Sequence, residues 1–251
     1  MSERFLQIMG VSKHFGGRTA LDGISFDLSR GEVVGLLGPN GAGKSTMMRI
    51  IAGILRPDSG QLLLDGISIF TKLPQWHRLL GVALDDPALF EYLTVREHLV
   101  LAGQLYNLSR ANAVRRMEEL AEFFTLQDDA DMPVWAASHG TRKKLALALG
   151  IIHDPRVLLL DESLNGIDAV TVRDFRAVLK KMMMRGTSVI ISSHMLDSVE
   201  SMIDRCIILN HGRTVFDTSM DSIIPAGTGL EQIYMEKIVG TGGKTATLSW
   251  L

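Results

Sequence analysis

The stretch Gly38-Pro39-Asn40-Gly41-Ala42-Gly43-Lys44-Ser45-Thr46 satisfies the pattern G-x-x-x-x-G-K-[ST] in full. Glycines let the backbone curl so that successive N–H groups point inward at phosphate oxygens. A helix beginning near Lys44 would add the positive end of its dipole. Lys44 is then placed to reach the β and γ phosphates of a nucleotide, and the Ser45 hydroxyl to ligate Mg²⁺. A strand-like run before the loop and a helix-like run after it argue against an accidental glycine-rich turn.

A second group of reactive side chains ends the run Val157-Leu158-Leu159-Leu160-Asp161-Glu162. Continuous apolar residues read as a strand buried on both faces. Such a strand delivers Asp161 at its carboxyl end, where open α/β sheets bind ligands. Asp161 can hold Mg²⁺ through water, while Glu162, expected on the opposite face of the strand end, can polarise an attacking water as general base. With the complete phosphate loop upstream, the pair points to hydrolysis and not to binding alone.

Strands must position both groups. Short β-rich runs are expected at Phe5 to Met9, Ile24 to Leu28, Glu32 to Leu37 and Gln61 to Leu64. Further buried strands are expected at Leu79 to Leu84, Ser188 to Ser192 and Cys206 to Leu209. Helical spacing marks Ser45 to Leu55, Leu99 to Tyr106, Arg110 to Phe124, Arg142 to Ile152, Ala169 to Arg185 and Leu230 to Val239. Thr94-Val95-Arg96-Glu97 is a capping box that starts a helix. Strands alternating with helices imply an α/β fold with a mostly parallel sheet. Residues 1–84 and 141–217 are expected to form a P-loop NTPase core with an N-terminal antiparallel β subdomain. Residues 85–140 read as an inserted helical subdomain and 218–251 as a tail.

Composition narrows the function classes. The 251 residues are 46 % hydrophobic and 22 % charged, as in an ordinary folded protein. A net charge of −2 gives no electrostatic case for nucleic acid as a partner. The single cysteine, Cys206, lies in an apolar run and reads as a reduced core thiol. No apolar run is long enough to span a bilayer, and Met1-Ser2-Glu3-Arg4-Phe5 does not open a signal peptide. A cytoplasmic protein is expected, peripheral at the cytoplasmic face of the membrane if a membrane partner holds it there.

Taken in order, these motifs resemble the ATPase subunits of ABC transporters, from about residue 4 to about residue 217. The resemblance implies ATP and Mg²⁺ as ligands and Lys44, Glu162 and His194 as the catalytic set. His194, in Ile191-Ser192-Ser193-His194, matches the family's switch histidine, which contacts the γ-phosphate. Ser163-Leu164-Asn165-Gly166-Ile167-Asp168 is similar to the family's continuation after the glutamate, which makes Asn165 to Asp168 the D-loop along a dimer interface and places Asp168 among the nucleotide-binding residues. In Lys13-His14-Phe15-Gly16-Gly17, Phe15 corresponds to the aromatic residue that stacks on adenine.

Two segments depart from the family pattern. The signature Leu-Ser-Gly-Gly-Gln stands here as Ala137-Ser138-His139-Gly140-Thr141. Ser138 and Gly140, the positions expected to touch the γ-phosphate across the dimer, are kept, and His139 replaces a glycine. In Leu84-Asp85-Asp86-Pro87-Ala88-Leu89-Phe90, Asp85 falls where the Q-loop glutamine is usual, and its oxygen is a candidate Mg²⁺ ligand. The implied partners are a second ATPase subunit, identical or not, and a transmembrane permease. Leu89, Phe90, Tyr92 and Leu93 are candidates for the permease groove and equally for ordinary packing. Export is favoured because the compact chain and its Leu230-to-Glu236 segment are similar to stand-alone exporter subunits. Two alternatives are a soluble ABC-type switch on a ribosome, DNA or protein complex, and a small-molecule kinase. The kinase does not explain Ser138, Asp161-Glu162 and His194 in that order.

Overall fold

A computed structural model describes residues 4–194, 196–223 and 229–239. The expected tail, 218–251, therefore lies partly outside the described residues. Strands β1 (Arg4–Phe15), β2 (Arg18–Ser29) and β3 (Val33–Leu37) lead into helix α1 (Lys44–Ile51). Then come β4 (Ser59–Leu64), β5 (Ile67–Ser68), α2 (Leu73–Leu79) and β6 (Leu80–Ala83). A helical stretch follows, with α3 (Val95–Leu105), α4 (Arg110–Phe123) and α5 (His139–Ile151). The remainder alternates: β7 (Val157–Asp161), α6 (Ala169–Met184), β8 (Ser188–Ser193), α7 (Leu196–Glu200), β9 (Arg205–Asn210), β10 (Arg213–Ser219), α8 (Met220–Ile223) and α9 (Leu230–Val239).

Two sheets result. An antiparallel one runs β2-β1-β4-β5, and a six-stranded one runs β10-β9-β3-β8-β7-β6. All neighbours in the larger sheet are parallel except the β9–β10 hairpin. This is a mixed α/β fold with an antiparallel N-terminal sheet. The two-residue period of a strand divides the apolar runs between two cores. Val34, Leu36, Leu159, Ile190 and Ile207 pack with α1 and the antiparallel sheet. Val33, Leu37, Leu158, Leu160, Val189 and Ile191 pack with α3 to α6. Burial on both faces explains why these strands read as unbroken hydrophobic runs.

Parallel pairing also aligns the strand ends. Leu37 pairs with Ser193, and Asp161 with Ser192, so β3, β7 and β8 finish side by side. The phosphate loop, the Asp161-Glu162 pair and His194 leave the same edge, with Asp85 two residues past the end of neighbouring β6. On the helical side, Thr94 accepts from the Glu97 amide at 3.1 Å while Glu97 accepts from the Thr94 amide at 2.8 Å. Reciprocal capping of this kind fixes where α3 begins.

Elements α2, β5, α7, β10 and α8 were not expected from the sequence, and β1 is longer than expected. Helix α2 is a short turn opened by Pro74 and held by Trp76, whose indole N–H donates to the Ile51 carbonyl at 2.7 Å. Strand β10 is an edge strand of mixed exposure, so its apolar alternation is weak. Strand β1 runs much further than Phe5 to Met9 because register shifts let it bend along both neighbours.

Candidate functional site

A cleft of about 690 Å³ opens at the carboxyl edge of the parallel sheet. Its lining includes Phe15, the 40–46 segment, Asp85, Glu162, Asn165 and His194, drawn together from across the chain. The floor is the loop between β3 and α1. Gly43 has φ 108, and a Cβ there would sit 2.6 Å from the Ala20 carbonyl oxygen, so only glycine fits. No side chain caps the first turn of α1. The free amides at that turn and the positive end of the helix therefore favour an anion in the cleft.

Lys44 is buried at 6 % exposure. Its ammonium donates to the carbonyls of Gly38 (2.7 Å) and Pro39 (3.3 Å) and lies 3.5 Å from Glu162 Oε1. The carboxylate contact is long, and the ammonium borders the cleft. An incoming phosphate oxygen can take the place of that carboxylate.

Asp161 is buried at the tip of β7, where its Oδ1 accepts from the Ser192 hydroxyl and from Ser45 Oγ at 3.3 Å. Two cis ligands of an octahedral Mg²⁺ are separated by about 3 Å, so this oxygen pair fits that ion, directly or through one water. No group of three His, Cys, Asp or Glu side chains that could hold a metal occurs among the described residues. A metal here would complete its shell from phosphate and water, as Mg²⁺ usually does.

Glu162 corrects one expectation. Its carboxylate does not project to the face opposite Asp161. Strand β7 ends at Asp161, and Glu162 takes a left-handed conformation, φ 50, which breaks the alternation. Both carboxylates consequently meet the start of α1, Asp161 at Ser45 and Glu162 at Lys44. Glu162 Oε2 also accepts from Asn165 Nδ2 at 2.7 Å and lies 2.8 Å from His194 Nδ1. His194 is half exposed and faces the cleft beside the carboxylate.

Phe15 stands at the rim, half exposed, with the Lys13 ammonium 5.6 Å from its ring centroid. Lys13 donates to Asp58 at 2.6 Å and the His14 amide donates to the same carboxylate at 2.7 Å. These bonds hold the Asp58 carboxyl down at about 2, with the Lys13 contribution the largest, and they fix the strand end that presents Phe15.

The signature residues lie apart from this cleft. Ser138 is the N-cap of α5, accepting from the Thr141 amide at 3.0 Å, and His139 is exposed beside it. Gly140 lies near Gly166, whose carbonyl oxygen would be 4.0 Å from a Cβ added there. Asp168 lies outside the lining of this chain's cleft. Its oxygens accept from the Thr171 amide and hydroxyl, both at 2.8 Å, and from Lys144 at 2.9 Å. These partners, the Thr171 amide first, hold its carboxyl well below the usual range and employ it as the cap of α6.

Asp85 lines the cleft, yet its Oδ1 accepts from Lys143 Nζ at 2.8 Å. Lys143, Arg18 and Ser192 were not singled out from the sequence, and Asn165 stood there only as the start of the D-loop. Arg18 is exposed on the cleft rim with its guanidinium over Gly41, and its position just past the Phe15-Gly16-Gly17 turn was the available signal. Ser192 orients Asp161 from a neighbouring strand, and only pairing register reveals that.

Similarity to known proteins agrees with this geometry. Residues 21–165 match the family model described as ABC transporter. The chain is 34 % identical to the ABC transporter ATP-binding protein YdbJ of Bacillus subtilis (strain 168), over all of this chain and 79 % of that protein. It is 33 % identical to the Nod factor export ATP-binding protein I of Rhizobium sp. (strain N33), over 93 % of this chain and 77 % of that protein. A solved ATP-binding subunit of an ABC transporter superposes with a TM-score of 0.86 at 28 % identity, covering 93 % of this chain and 99 % of the other. With more than half its length under the family model and relatives that match along nearly all of it, the chain belongs to the ABC transporter family as an ATP-binding subunit.

Proposed function

We propose that this chain binds ATP with Mg²⁺, hydrolyses it, and thereby drives a transmembrane permease as its energising subunit. The observation that carries the proposal is the Glu162 carboxylate, poised between Lys44 and His194 at the mouth of the phosphate-loop cleft. Triphosphate lies along the amides of residues 40–46, Phe15 stacks on the base, and Arg18 adds charge at the rim. The γ-phosphate draws the Lys44 ammonium to itself and so frees Glu162. Glu162 then takes a proton from the water that attacks the γ-phosphorus, the bond from that phosphorus to the β–γ bridging oxygen breaks and ADP leaves, while Asn165 and His194 hold the carboxylate in place. Ser45 and Asp161 would hold Mg²⁺, which would supply charge neutralisation to the triphosphate.

Two subunits face each other, with the Ser138-to-Thr141 segment of one closing over the nucleotide of the other. The exposure of Ser138 and His139 at the start of α5, outside their own chain's cleft, supports this arrangement. ATP then acts as interfacial glue, and hydrolysis biases the pair toward opening. No helix among the described residues is long and apolar enough to cross a membrane. The subunit would sit at the cytoplasmic face. The export direction rests on a relative named for Nod factor export.

Glu162→Gln is the test. The variant retains ATP, loses turnover by about 10²- to 10⁴-fold, and accumulates as a dimer in MgATP during gel filtration. Normal phosphate release from this variant removes Glu162 from the role of base.

A further inference from the structure

Lys143 is a lysine in the wrong place for an ordinary surface charge. It lies one turn into α5, and its side chain is only 4 % exposed. An ammonium has three protons and no acceptor, so a buried one needs three acceptors. Lys143 has them, from two segments distant in sequence: Asp85 Oδ1 at 2.8 Å from the loop after β6, and the Asn165 carbonyl at 2.9 Å and Glu162 carbonyl at 3.5 Å from the turn after β7. Two of these acceptors are neutral, so Asp85 alone among them balances the buried charge. The Glu162-to-Asn165 turn is the same turn whose side chains meet at 2.7 Å, Asn165 Nδ2 to Glu162 Oε2.

We propose that Lys143 is a positioning residue whose ammonium, neutralised by Asp85, clamps the main chain of the Glu162–Asn165 turn and so aims the Glu162 carboxylate into the cleft. This rests on the reading of Glu162 as the base. Asp85 is accordingly the counter-ion of Lys143, and the metal site is served by Ser45 and Asp161. The geometry explains why an aspartate suits this position. Its 60 % exposed carboxylate keeps one side in water while the other meets a charge that water cannot reach. The contact also ties the loop after β6 to α5, the helix that opens at Ser138. A disturbance at either end therefore reaches the turn that carries Glu162.

The experiment is a double-mutant cycle on the purified full chain with Asp85→Asn, Lys143→Gln and the two combined. Gln at 143 keeps an N–H donor for the carbonyls while removing the charge. Four quantities are read: phosphate release, ATP affinity with a fluorescent analogue, the Mg²⁺ concentration for half-maximal turnover, and the urea midpoint. Each single variant is expected to lower kcat roughly tenfold or more while ATP affinity stays within about twofold, because aim is lost and the phosphate loop is untouched. The double variant is expected to lose no more than the worse single one, in kcat and in midpoint alike. Its Mg²⁺ requirement, and that of Asp85→Asn, should match wild type. Additive losses overturn the pairing. A several-fold higher Mg²⁺ requirement in Asp85→Asn, with an unmoved midpoint, makes Asp85 a metal ligand instead. Full kcat in Lys143→Gln removes the positioning role while leaving the ATPase reading intact. A wild-type chain that releases no phosphate sinks that reading itself, and the clamp's role in hydrolysis with it.

Discussion

Among the described residues two lysines are buried, in matching surroundings and with opposite work to do. Lys44 meets two carbonyls and a carboxylate at 3.5 Å, and its ammonium borders an open cleft. Lys143 also meets two carbonyls and a carboxylate, but the carboxylate is at 2.8 Å. One ammonium is held loosely enough to be given to a ligand. The other closes a seam between α5, the loop after β6 and the turn after β7. Burial alone does not separate a binding lysine from a structural one. What separates them is how easily a partner can be exchanged.

Substitutions should split along that line. Lys44→Ala removes the exchangeable charge and is expected to weaken ATP binding on the order of 100-fold, about 3 kcal/mol, with little change in unfolding midpoint. Calorimetric titration with ATP checks this, and unchanged affinity breaks the comparison at its stronger end.

The far end of α5, away from Lys143, should be the acid-sensitive region. His153 stacks on Tyr106 at 3.6 Å, and its Nε2 lies 3.0 Å from the Leu80 carbonyl oxygen, which requires the proton on Nε2. Buried Nδ1 has no partner, so a second proton there meets nothing. Burial holds this imidazole down at about 4, against an ordinary value of 6.5. The unfolded chain takes up the proton first, so stability is full above pH 6.5 and falls as the pH drops toward 4. The loss reaches about 2–3 kcal/mol. Urea titrations of wild type and His153→Gln at pH 7 and pH 4.5 test the sign: the variant should lose less on acidification.

Asp85→Ala should give the reverse of the Lys44 pattern. The cost is about 1–2 kcal/mol, below that of a fully buried pair because the carboxylate is largely solvated. For a chain of this size that lowers Tm by about 2–8 °C, with ATP affinity unchanged. Thr94→Ala removes the cap of α3 and sets the scale for a purely structural change: about 1 kcal/mol in urea unfolding and no effect on nucleotide.

Where function depended on contiguous residues, the sequence was readable. The phosphate loop and Asp161-Glu162 announce themselves because strand, turn and reactive side chain are neighbours in the chain. The parallel sheet was legible for the same reason, since each strand buried on both faces is one apolar run. What stayed hidden depends on distance and on local conformation. Asp85 stood out as unusual, but its partner lies 58 residues further along, and nothing in the local pattern joins them. The direction of Glu162 was misread because one left-handed residue reversed a strand's alternation. Asp168 stood out through the family pattern, and only the structure reveals that Thr171 and Lys144 already occupy it.

The central claim is that the cleft holding Lys44, Ser45 and Glu162 takes a magnesium-bound triphosphate and cleaves it. Phosphate release by the purified wild-type chain in MgATP, measured beside Glu162→Gln and Lys44→Ala, tests it most directly. The account predicts steady release by wild type, tight retention without release by Glu162→Gln, and neither by Lys44→Ala. Equal release from all three proteins would contradict it.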